Sequence, residues 1–441
     1  DQCYQTIQAL GCDEIETPNL GRLVANGTTF THAYNMGSWS GAVCVASRTM
    51  LNTGKFIWHA SRDYKNTDKL YREKGTLWPQ LMAKAGYDTY FTGKWHLRAS
   101  APDAFKVTQN IRGGMPNQTR QGYNRPQDGK PDPWKPWDKS FEGFWKGGKH
   151  WSEVVADDAE QFLSASKESD APFFMYIEYN APHDPRQSPK KFVDMYPLES
   201  VSLPTSFLPE YPFNQAMDSG RGLRDEKLAP FPRTKRSVQV NRQEYYAIIT
   251  HMDVQIGRIL DALEKSGKAD ETYIIFTADH GLACGHHGLM GKQNMFDHSV
   301  RVPLTIVGPD VPKNKRIDHR VYMQDVNPTA LELAGAEKPD YMQFNSLLPL
   351  IHGKTDKSYD AIYGAYLQGQ RMVTLGDHKL ILYPKAKKVL LFNVKSDPLE
   401  MKNLADESEH QSTVKKLFAR LLDLQKETGD DLNLKKTFPE L

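Results

Sequence analysis

The chain is poor in cysteine, lacks any long apolar run and carries almost no net charge. Its 441 residues hold four cysteines, Cys3, Cys12, Cys44 and Cys284, too few to staple a chain of this length as a disulfide scaffold. Cys3 and Cys12 are close enough in sequence to pair, but nothing around them requires it. No stretch approaches the roughly 18 apolar residues of a membrane span, and the net charge is only +2. Neither a membrane nor a nucleic-acid partner is therefore expected. What is present is ordinary globular material, 39% hydrophobic and 25% charged, long enough for two packed units.

Short apolar runs alternate with amphipathic helical patterns. Helical spacing over Leu77–Ala85, Ser152–Ser166 and Gln243–Lys265 precedes β-rich runs at Asp88–Thr92, Phe173–Tyr179 and Tyr273–Thr277. That alternation predicts an α/β fold, a large, mixed but mostly parallel sheet sandwiched by helices. Each run ends in polar residues: Lys94 and His96, then His183, then Asp279 and His280. In open α/β sheets ligands sit beyond the carboxyl ends of the strands, so neighbouring strands would bring these clusters together. From Lys357 the pattern changes to four short strands (Ala361–Tyr366, Arg371–Leu375, His378–Tyr383, Val389–Val394) and a helix, Glu407–Thr428. We expect a catalytic unit over 1–356 and a smaller α+β subdomain over 357–441. The stretches Leu97–His150 and Pro185–Arg242 have weak periodicity and read as long functional loops.

The segment Cys44-Val-Ala-Ser-Arg48, followed by a helical run stopped at Gly54, carries the most specific signal. It places Cys44 in a first helical turn, where the dipole favours negative charge, and Arg48 on the same face. Taken alone, a buried structural cysteine and a surface arginine are the commoner explanation of these residues.

The rest of the chain changes that weighting. Cys44-x-Ala46-x-Arg48 resembles the modification signature of the formylglycine-dependent sulfatases of the alkaline-phosphatase superfamily. Gly54-Lys55, Gly93-Lys94-Trp95-His96, Ala181-Pro182-His183, Thr277-Ala-Asp279-His280-Gly281 and Gly288-Leu-Met-Gly-Lys292 are similar to further family blocks, in the family's order. Asp1-Gln2 resembles the end of its Asp-Asp-Gln metal motif, and Leu391-Phe392-Asn393 with Asp397-Pro398 its closing segment. Ala46 stands where proline is commoner.

This resemblance implies a sulfatase in which a maturation enzyme oxidises Cys44 to formylglycine. Its hydrate attacks sulfur through one hydroxyl and expels sulfate through the other. Asp1, Asp279 and His280 would hold one divalent cation, Ca²⁺ or alternatively Mg²⁺, the carboxylates being hard oxygen ligands. Arg48 and Lys94 would neutralise charge and His96 would take a proton from the hydrate. His183 and Lys292 would bind sulfate and assist the leaving oxygen. The family also implies an apolar strand and another Asp upstream of Asp1, after an export signal.

Substrate contacts are expected at Trp95, Gln293, Asn294 and Arg371, with Gln368 a weaker candidate. The aromatic cluster Trp134, Trp137, Phe141, Phe144, Trp145 and Trp151 reads either as packing that pins a loop or as a wall for a sugar ring. Packing is the commoner role of such a cluster, and its alternative use as a wall is what motivates the expectation of a sulfated carbohydrate. The alternative activity is hydrolysis of a phosphodiester or phosphonate monoester; a catalytically dead sugar-binding relative is a third reading. His286, His287 and Cys284 read as loop packing. Sequons begin at Asn26 and Asn117.

Overall fold

The computed structural model describes residues 1–116 and 119–441, so the sequon at Asn117 lies outside the described residues. Strand β1 (Thr28–Phe30) is followed by helix α1 (Val43–Thr53). Gly54 closes α1 at φ 70° and donates its N–H to the Met50 carbonyl. Helix α2 (Trp78–Lys84) leads into β2 (Asp88–Lys94). Strand β3 (Val107–Arg112) and, after helix α3 (Trp151–Ala165), strand β4 (Phe173–Glu178) flank β2 in parallel, with Asp88 opposite Phe173 and Gly93 opposite Glu178. Gly93 sits at φ 95°, and a Cβ there would lie 1.8 Å from the Glu178 carbonyl oxygen, so only glycine lets β2 and β4 close at the site.

Helix α4 (Lys235–Ser266) precedes β5 (Ile274–Thr277). It begins earlier than its periodicity predicts, because Thr234 caps the polar first turn by accepting from the Ser237 N–H. With β6 (Leu304–Val307) and β7 (Lys315–Ile317), β5 forms a second sheet of order β7-β1-β6-β5. β6 runs antiparallel to both its neighbours, while β7 is parallel to β1. The fold is α/β with mixed sheets covered by helices, as expected.

β4 and β5 are each the last strand of their sheet. Both are only half-buried, and they line a cavity of about 630 Å³ together with Leu163, Ile256, Leu260 and Ala330. Beneath, Ile248, Met252, Ile256 and Leu260 of α4 pack with Leu20, Leu23 and Val24. Each such side chain contributes about 1.5–3 kcal/mol when fully buried.

The C-terminal strands β8 (Ala361–Tyr366), β9 (Gln370–Leu375), β10 (His378–Tyr383) and β11 (Lys388–Asn393) form an antiparallel meander. Helix α5 (Gln411–Thr428) buries Val414, Leu417, Phe418, Leu421 and Leu424, one helical stripe. The edge of β8 pairs in parallel with Gly37–Ser38, just ahead of α1. The C-terminal sheet therefore reaches across residue 357 and buttresses the segment that presents Cys44.

Candidate active site

Cys44 lies in the first turn of α1, and Ala42 at its cap position offers the turn no side-chain oxygen. The free N–H groups of that turn favour an anion. The thiol is 2% exposed. Its Sγ lies 3.0 Å from His280 Nε2, 3.7 Å from Asp1 Oδ1 and 3.8 Å from Lys292 Nζ. Burial and Asp279 push the thiol up, but Lys292, Lys94 and His280 outweigh them and hold it well below a free thiol.

Arg48, one turn further along α1, is buried and fully bonded. Its Nε donates to Asp279 Oδ2 at 3.1 Å, Nη1 to the Lys94 carbonyl at 2.7 Å and Nη2 to Glu178 Oε2 at 2.8 Å. It thereby joins the ends of β2, β4 and β5. Lys94 Nζ stands 3.5 Å from Asp279 Oδ2. Burial opposes ionisation of Asp279, yet His280, Lys94 and Arg48 hold its carboxyl well below the usual range. The sequence run Phe173–Tyr179 gave one signal for Glu178, a charge in an otherwise apolar strand, which sequence reasoning missed.

Asp1, Cys44, Asp279 and His280 place ligand atoms within 4.8 Å of one another, all buried. His280 Nδ1 donates to the Gly281 carbonyl at 2.8 Å, which leaves Nε2 with its lone pair toward this cluster. Two hard carboxylates with an imidazole fit a divalent cation; the Cys44 sulfur stands where an oxygen nucleophile would sit.

On the opposite side, His183 Nδ1 donates to the Asp184 carbonyl at 2.8 Å, and Nε2 accepts from Lys292 Nζ at 3.2 Å. Burial and Lys292 lower His183 to about 4, so it is neutral near pH 7. Burial alone would lower Lys292, but Cys44, Asp225 and Asp184 raise it, so it stays charged. His96 follows β2 at φ 56°, with its Nδ1 buried and unpartnered among the described residues. A Cβ on Gly114 would come within 2.1 Å of the His96 ring, so glycine is needed at that position for the ring to fit.

The proposed substrate contacts need correction. Arg371 is fully buried and spends its guanidinium on Asp430 at 2.6 and 2.8 Å and on the Leu367 and Gln370 carbonyls. Trp95 is buried against Phe91 and Phe105 and donates to the Ala99 carbonyl. Asn294 is buried and caps the Phe296 N–H. Gln293 does border the site, but as scaffold: it donates to the Gly41 carbonyl and to Asp225. Trp134, Trp145 and Trp151 are buried, Trp134 stacked on Phe141, and they pin the loop instead of offering a platform. Sequence reasoning also missed Asp184, Arg224 and Asp225. Asp225 sits in an aperiodic loop with no local signal.

The family model described as Sulfatase matches residues 2–336. The chain belongs to the sulfatase family. A second model, N-sulphoglucosamine sulphohydrolase C-terminal, matches residues 285–427. An arylsulfatase of Clostridium perfringens is 27% identical, covering 97% of this chain and 94% of the relative. An N-acetylglucosamine-6-O-sulfatase of Bacteroides thetaiotaomicron is also 27% identical, over 98% and 86%. A protein solved with its substrate D-glucosamine-2-N,6-O-disulfate superposes at TM-score 0.76 with 23% identity, over 98% and 97% of the two chains. A phosphonate monoester hydrolase from Silicibacter pomeroyi superposes at 0.75 with 21% identity, over 98% and 95%. These structural likenesses show the alkaline-phosphatase-like fold. The sulfatase is thus a sulfuric ester hydrolase. Among the described residues no helix is long and apolar enough to cross a membrane.

Proposed function

We propose that the sulfatase hydrolyses a sulfate ester of a sugar through a formylglycine formed from Cys44. The carrying observation is the convergence of Cys44, Arg48, Lys94, His183, Lys292, Asp1 and Asp279 in one buried cluster at the start of α1. The relatives that act on sulfated glucosamine support the sugar.

Formylglycine at position 44, as its hydrate, would supply an oxygen nucleophile and a second hydroxyl able to expel sulfate. A divalent cation, Ca²⁺ in this proposal and Mg²⁺ as the alternative, would be held by Asp1, Asp279 and His280 and would polarise a sulfate oxygen. Lys292 and Lys94 meet the negative charge of the sulfate with buried ammonium groups, where low dielectric strengthens the attraction. The fixed tautomer of His183 leaves Nε2 ready to pass a proton between Lys292 and the departing alcohol oxygen. His96, kept neutral by burial, is the group to accept a proton at the nucleophile. Because Cys44 is buried, a maturation enzyme would have to reach it before folding. A polymeric sulfated substrate fits an exported protein.

The test is sulfate release from defined sulfated sugars beside aryl sulfates and aryl phosphodiesters. Faster turnover of phosphodiesters or phosphonates than of every sulfate ester would replace this reading with the alternative activity.

A further inference from the structure

Beside the sulfate pocket, Lys292 and His183 belong to a ring of side chains whose other members, Asp225, Arg224 and Asp184, the mechanism above does not use. Lys292 Nζ is 3.7 Å from Asp225 Oδ2, and Asp225 Oδ1 accepts from Arg224 Nε at 2.8 Å. Arg224 Nη2 is 3.6 Å from Asp184 Oδ1, which lies 3.4 Å from His183 Nδ1. His183 Nε2 completes the ring at Lys292. Asp184 and Asp225 are almost wholly buried, whereas the Arg224 side chain is 27% exposed. With the sulfate end of a substrate at Cys44, Lys292 and His183, Arg224, the most exposed member of the ring, is placed to meet its alcohol portion.

Two buried polar atoms there lack a hydrogen-bond partner among the described residues: Asp184 Oδ1 and the Tyr366 hydroxyl. Tyr366 comes from β8, and its hydroxyl stands 3.9 Å from where a Cβ on Gly41 would be, at the entrance to α1. Asp225 and Lys292 both act electrostatically on it. Buried polar groups are normally partnered, and stranding one costs about 1–3 kcal/mol. The ring balances the carboxylates of Asp184 and Asp225 against the cations Arg224 and Lys292, so a second anion finds no net positive charge to bind. Hydroxyl groups suit it: they donate to Asp184 Oδ1 and accept from Arg224 and Tyr366.

We propose that Arg224, Asp184 and Tyr366 form a hydroxyl-reading wall that selects the uncharged polyol face of a sugar next to the sulfated position. It disfavours aryl leaving groups, which would leave those atoms unpaired. This inference rests on the sulfate-ester reading of the adjacent pocket.

The experiment compares kcat/KM for glucosamine 6-sulfate, galactose 4-sulfate and 4-nitrophenyl sulfate in the wild type, Arg224→Gln and Tyr366→Phe. The better sugar's kcat/KM relative to that of the aryl ester is expected to fall about ten- to hundredfold in Arg224→Gln, the range for a hydrogen bond to a charged group. Tyr366→Phe removes only an unpartnered hydroxyl, so it should fold normally and lower the ratio severalfold. An unchanged ratio in both variants would make the ring a device that merely positions Lys292 and His183, and would overturn the wall. Calorimetric binding of the same two sugars to Cys44→Ser, with and without Arg224→Gln, gives a readout independent of turnover. Binding weakened about ten- to hundredfold by Arg224→Gln supports the wall even where no sulfate ester is turned over, in which case only the catalytic reading fails. Absent or equal binding overturns the wall.

Discussion

Replacing Arg48 with methionine removes the charge that joins three strand ends while keeping most of the side-chain volume. The guanidinium is buried and bonds Asp279, Glu178 and the Lys94 carbonyl, so the substitution strands Glu178 and takes from Asp279 one of its cationic partners. Breaking a buried ion pair costs about 3–5 kcal/mol, a large share of the roughly 5–15 kcal/mol that holds a protein folded. Turnover should also fall about 10²–10³-fold, because Arg48 neutralises Asp279 beside the nucleophile. The double variant Arg48→Met/Glu178→Gln separates the two effects. Removing the stranded Glu178 charge should restore about 1–3 kcal/mol of stability and none of the rate. Urea unfolding with an unchanged m-value measures the first, and kcat the second. If Arg48→Met unfolds within about 1 kcal/mol of the wild type, below the cost of one stranded buried charge, or if the Glu178 change is merely additive, the arginine is not neutralising these acids.

Stability should fall as pH drops below 6.5. Burial holds His287 down at about 4, packed on Phe296 and beside His286, His298, Lys379 and Glu400. An unfolded imidazole takes its proton near 6.5, so between 6.5 and 4 the unfolded chain binds a proton that the folded chain refuses. His287 alone then costs roughly 3 kcal/mol by the acid end of that window; a His287→Gln variant with the same pH slope as the wild type would refute this. Chelation should abolish turnover and lower the melting temperature, with Ca²⁺ restoring both. Two zinc ions per chain by elemental analysis would contradict the carboxylate site.

Much of the fold was legible because apolar periodicity is local. The strands at Asp88, Phe173, Ala361 and His378 begin where their patterns begin. The strand partners were not legible: β6 inserts between β1 and β5 by long-range pairing that no spacing encodes. At the site, strand-end clusters pointed to Lys94 and Asp279, and the structure brings them to 3.5 Å. Arg371 misled because its fate depends on Asp430, 59 residues away in sequence. The tryptophans of the long loop took the packing role that was the commoner expectation for them, and composition alone could not say which face of a ring is covered. Asp184, Arg224 and Asp225 acquire meaning only through one another, in a loop without periodicity.

The central claim is that sulfate release depends on formylglycine at position 44. Its most direct test titrates, by mass spectrometry, the converted fraction of the peptide containing Cys44 against sulfate released from a sulfated sugar across preparations of different maturation. The account expects activity proportional to conversion and passing through zero. Full activity in a preparation whose peptide carries only unmodified cysteine would contradict it.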